Sequence, residues 1–89
     1  VKPTAALKAL SRALALDAVI FTAHALEMMT FAGLDLAFVQ AELSFAVDRG
    51  AVVANRSTSG RFTGHGRATI FSFEVVSPTV VVVTIMLQE

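Results

Sequence analysis

The hydrophobic period of this chain changes once, at Gly50. Before that residue, apolar side chains recur every three or four positions, as one face of a helix requires. After it they alternate or run on continuously, as strands require. Such an order predicts an α+β fold, with N-terminal helices packed on a small antiparallel sheet. Thr4 followed by Ala5, Leu7, Leu10, Ala13 and Leu14 predicts a first helix to about Leu16, with Lys2, Lys8 and Arg12 off its apolar stripe. Val19-Ile20-Phe21 reads as a short apolar approach to Thr22, an N-cap for a second helix from Ala23 to about Ala32 that Gly33 closes. Asp35 caps a third helix, in which Leu36, Val39, Leu43, Ala46 and Val47 recur to Asp48.

Beyond Gly50, Ala51 to Ala54 reads as a strand, and Asn55 to Gly66 as a loop or weakly paired strand. From Arg67 to Val76 the residues alternate, with Thr69, Phe71, Phe73 and Val75 on one side, which predicts a half-buried strand. Ser77-Pro78 is a turn. Thr79 to Leu87 is apolar on both faces and is expected as a central strand covered on both sides. With 89 residues the chain makes one domain, 1–89, helical over 1–48 and strand-forming over 49–89.

The charges are sorted by the same boundary. Residues 17–48 hold five acids and no Lys or Arg, whereas residues 49–67 hold four Arg and no acid. Net charge is zero, yet the field near a cluster is set within about 8 Å at physiological salt, so the basic half can still attract an anion. Arg49, Arg56, Arg61 and Arg67 therefore meet a phosphate, the protein's own acids, or water. The composition, 55% hydrophobic and 16% charged, is apolar for so short a chain. It implies an apolar surface covered by a second copy or another protein. No cysteine is present, which removes disulfides and thiolate metal sites. The densest apolar run, Thr79 to Leu87, is far shorter than a helical membrane span, which needs ~20 residues. The first residues lack the pattern of a signal peptide, and a start at Val1 fits either a removed initiator Met or the C-terminal piece of a longer protein.

Two histidines are the candidate proton-transfer groups. His24 falls in the first turn of the second helix, where the helix dipole disfavours the imidazolium and leaves a neutral base. From the residues alone, the stronger reading of His24 is a hydrogen-bonded helix-end residue that fixes the approach of Phe21. His65 lies between Gly64 and Gly66, which suits close approach to a ligand or an ordinary surface loop. As a general acid and base they would serve phosphodiester transfer, with Arg61 and Arg67 as the cations that stabilise a phosphorane. No metal and no cofactor is expected: two His without Cys and with scattered acids do not make a ligand set. Phe71 and Phe73 read as core under helices, or as a base-stacking platform.

The string Thr22-Ala23-His24-Ala25-Leu26-Glu27-Met28-Met29-Thr30-Phe31-Ala32-Gly33-Leu34 resembles the entry helix of the family called domain of unknown function 4258, which is similar to RelE/ParE-type toxins. The acid-capped helix that follows it, the Arg-bearing segment and the strand Val81-Val82-Val83-Thr84-Ile85 extend the resemblance over about residues 19 to 87. Met28 and Ala32 stand where the family usually has arginines. The resemblance implies a RelE/BECR-like α+β fold and a metal-independent ribonuclease site. Its catalytic residues would be His24 and Thr84, joined by His65, and its RNA-binding residues Arg61, Arg67 and Arg56. It also implies an antitoxin or immunity protein as partner. The site of action would be cytoplasmic, reached directly or by delivery from a larger secreted protein.

Three functions follow as expectations: a small ribonuclease-type toxin, a non-catalytic protein-binding module of the same fold, and a homo-oligomer in which acidic helices face arginines. A homodimer or hetero-complex is common to all three. The missing helix arginines favour the latter two, and the basic segment with His24 favours the first, which ranks narrowly ahead on the sequence alone.

Overall fold

In the computed structural model, which describes residues 2–88, the chain runs α1 (Pro3–Ala15), β1 (Val19–Phe21), α2 (Ala23–Ala32), α3 (Leu36–Asp48), β2 (Val52–Ala54), β3 (Arg61–His65), β4 (Thr69–Val76) and β5 (Thr79–Leu87). The expected α+β architecture is present. Its helix boundaries follow from local chemistry. Pro3 starts α1, where its fixed φ and missing N–H cost nothing. The Thr22 hydroxyl accepts the Ala25 N–H at 3.0 Å, and the Asp35 carboxylate accepts the Phe38 N–H at 2.7 Å. Each removes one of the four orphan donors of a helix start. Gly33 ends α2 with φ 70°, the left-handed conformation that glycine adopts without strain.

The sheet departs from expectation in three ways. It has five strands in the order β1-β5-β4-β3-β2, and it is mixed rather than purely antiparallel. Val19-Ile20-Phe21, read as an apolar approach, is a strand that pairs parallel to Val80-Val81-Val82. The helical half of the chain thus contributes an edge strand to the sheet. The segment before Gly66 contains a fully paired strand, with Arg61 to His65 opposite Glu74 to Ile70. Finally, Thr79–Leu87 is not central and is not covered on both faces. It lies one place in from the β1 edge, and only Val80, Val82 and Ile85 on it are buried.

The core explains that one-sided burial. Phe62, Phe71, Phe73, Val80, Val82 and Ile85 of the sheet pack with Leu10 of α1, Met29 of α2, and Val39 and Leu43 of α3 in one cluster. The Phe71 and Phe73 rings lie 5.8 Å apart, tilted and fully buried, so this pair is core and not a base-stacking platform. Phe73 faces Val82 while Ser72 faces Thr84, so Val83 is a bulge. Without that extra residue, the three-residue step from Val82 to Ile85 would turn one of them out of the core. The chain exposes 5366 Å² of surface, close to the ~5,000 Å² of a compact chain of its mass. That surface carries large apolar side chains, among them Leu26 and Phe31 of α2 and Leu36 and Phe38 of α3, which are exposed.

Candidate functional site

The sheet face opposite the core collects three of the six expected site residues. Pairing aligns Arg61 with Glu74 and Val81, Thr63 with Ser72 and Thr84, and His65 with Ile70 and Met86. Thr63, Ser72 and Thr84 therefore form a row of hydroxyls across three neighbouring strands, with Arg61 and His65 flanking it on β3. All five are half-buried, because the alternation that sends Phe62, Phe71 and Phe73 inward sends these residues outward.

Arg61 meets the protein's own acid. Its Nη2 and Nε donate to the same Glu74 oxygen at 2.8 and 3.2 Å. The guanidinium is committed to a cross-strand neighbour and is not left open for a phosphate. The pair is 29% and 39% exposed, and such pairs contribute little. Arg61→Ala is accordingly expected to change unfolding free energy by no more than about 1 kcal/mol in urea titration.

Arg67 leaves this face. It sits in the turn between β3 and β4, with its guanidinium 5.8 Å from the ring of Phe45 on α3. Arg49, the C-cap of α3, lies 5.3 Å from the same ring. Neither forms an ion pair among the described residues. Arg56 is exposed in the loop between β2 and β3, a loop shaped by Asn55, whose Oδ1 accepts the Ser57 and Thr58 N–H groups.

His24 is exposed on the first turn of α2. The Thr22 hydroxyl donates to the Val83 carbonyl at 2.9 Å, so the start of this helix is tied to β5 beside Thr84. His65 stands two strands away from β5, roughly 10 Å at the usual strand spacing. Among the described residues no hydrogen bond links His24, His65 or Thr84 to one another, and no group of three His, Cys, Asp or Glu is placed to hold a metal ion.

One polar residue of structural weight escaped the sequence reading. Glu42 is 3% exposed, and its Oε1 accepts the Ala68 N–H at 2.7 Å and the Thr69 hydroxyl at 2.9 Å. It anchors α3 to the turn that carries Arg67. Its signal was available: Glu42 falls on the same helical stripe as Val39, Leu43 and Ala46, all buried. A groove runs along α3 here, lined by Phe38, Ala41, Glu42, Ser44, Phe45, Asp48 and Arg67. Comparison of the chain with protein-family models, curated proteins and solved structures finds no match.

Proposed function

We propose that this chain is a non-catalytic binding module with a RelE-like arrangement of helices and sheet, which works by presenting an apolar helical surface to another polypeptide. The observation that carries this reading is Phe31, 90% exposed near the end of α2, with Leu36 and Phe38 exposed in the first turn of α3 that follows. Large apolar side chains left in water on neighbouring elements of a small chain favour an interaction site. The open sheet face argues the same way by what it does not assemble. Arg61 is engaged by Glu74, and Arg67 lies on α3. Neither arginine near His65 in sequence is free beside it to stabilise a phosphorane.

A second reading, the metal-independent ribonuclease toxin neutralised by a cognate antitoxin or immunity protein, draws on one observation. His65, Thr84 and the Thr63–Ser72 hydroxyls share an open face near the helix start that bears His24. Incubation of the purified chain with single-stranded RNA at low salt, with a chelator present, separates the two. The binding-module reading expects intact RNA. Cleavage that disappears in His24→Ala or His65→Ala would overturn it in favour of the toxin, since a proton-transfer residue contributes ~10²–10⁴-fold to rate.

A further inference from the structure

We infer that the polypeptide seated on this surface is a second copy of the chain, whose α2 places Phe31 in the α3 groove and brings Glu27 to Arg67 and Arg49. This rests on the binding-module reading and names its partner.

The groove states what its occupant must be. Phe38, Ala41 and Phe45 form an apolar strip beside Glu42 and Ser44, and the small Ala41 leaves room there for a large side chain. At the Phe45 end two guanidiniums approach the ring, against one exposed carboxylate, Asp48. That end is left with an excess of positive charge and with two arginines lacking a carboxylate partner among the described residues. The occupant needs a bulky apolar side chain and, one helical turn away, an acid.

The chain itself carries that pair. Glu27 and Phe31 are both exposed on α2, four residues apart and so on one helical face. Glu27 forms no ion pair among the described residues. The spacings agree: Phe31 to Glu27 and Ala41 to Phe45 are each four residues, about 6 Å along a helix axis. With α2 of one copy antiparallel to α3 of the other, Phe31 stands over Ala41 while Glu27 faces the guanidiniums at Phe45. Within one chain the contact is not made, because α2 and α3 meet at 106°. The contact joins the acidic helices of one copy to the basic turn of another, which gives the sorted charges a role. It also buries Phe31, which its own fold leaves in water.

Sedimentation equilibrium of the whole chain across micromolar concentrations tests this. The wild type is expected to exceed the mass of one chain. Phe31→Asp and Arg67→Glu should each weaken association at least tenfold, and added salt should weaken it too. The double variant Glu27→Arg with Arg67→Glu should regain part of the loss, because it restores an opposite-charge pair. Phe31, Glu27 and Arg67 are exposed, and circular dichroism will show that each variant folds. A wild type that stays at one-chain mass overturns the inference, as does self-association that Phe31→Asp leaves unchanged. Either result leaves the binding-module reading to the RNA assay.

Discussion

Gly64→Ala should cost about 3 kcal/mol or more, a large share of the ~4–13 kcal/mol that holds a chain of this length folded. Gly64 lies on the buried side of β3, directly opposite Phe71 on β4. The Phe71 ring lies across the glycine: a Cβ there would stand 2.9 Å from Cε1 and closer still to Cζ. Real Cβ atoms essentially never approach that near, so ring or strand must move. Phe71 is fully buried against Phe73, and a displaced ring would have to find room in a packed core. For a chain this short the thermal midpoint should fall by at least about 12 °C. Combining Gly64→Ala with Phe71→Leu should cost less than the two changes added separately, because the shorter side chain vacates the space that the new methyl needs. A midpoint for Gly64→Ala within about 2 °C of the wild type would show that the ring can move freely, contrary to this account.

The same glycine shows what could be read from the sequence. Flanking His65 with Gly64 and Gly66 suggested close approach of a ligand. The close approach is internal: the Phe71 ring occupies the space at Gly64, and Glu42 with Thr69 the space at Gly66. Composition reports that something comes near a glycine and not what it is. The helices α2 and α3 were legible to within a residue because Thr22, Gly33 and Asp35 write their ends locally. The strand β1 was not. It has three residues, and its pairing depends on Val80 to Val82, some sixty positions later. The one-sided burial of β5 was hidden as well, since its run of valines alternates with nothing polar and its bulge at Val83 resets the face. Of the candidate site, the alternation of β4 put Glu74 and Ser72 on the face opposite the phenylalanines, as the structure has them. That Arg61 would be taken by Glu74, while Arg67 turned to α3, depended on register and turn geometry.

Glu42→Ala should destabilise the chain by about 2–4 kcal/mol, although it removes one carboxylate from an acidic helix. Its Oε1 is the acceptor for both the Ala68 N–H and the Thr69 hydroxyl, and Thr69 is fully buried. Truncation leaves those two donors with no acceptor and opens a space beneath Gly66, whose missing side chain is what lets the carboxylate reach the turn. Glu42→Gln keeps a carbonyl oxygen and should lose less. Glu42→Met fills the volume but satisfies neither donor, and should fall near the alanine variant. Thr69→Val in the Glu42→Met background removes one stranded donor and should recover part of the loss. Urea unfolding measures the order. Amide exchange at Ala68, slow in the wild type and fast in Glu42→Ala, would place the effect at the turn. A Glu42→Met variant as stable as the wild type would mean that the cost of burying the carboxylate cancels what its two hydrogen bonds contribute. Because Arg67 sits beside the Ala68 amide that Glu42 holds, loosening this anchor should also let the guanidinium leave Phe45. Glu42→Gln, folded at ordinary temperature, should then self-associate more weakly than the wild type even though the Glu42 side chain is itself almost wholly buried.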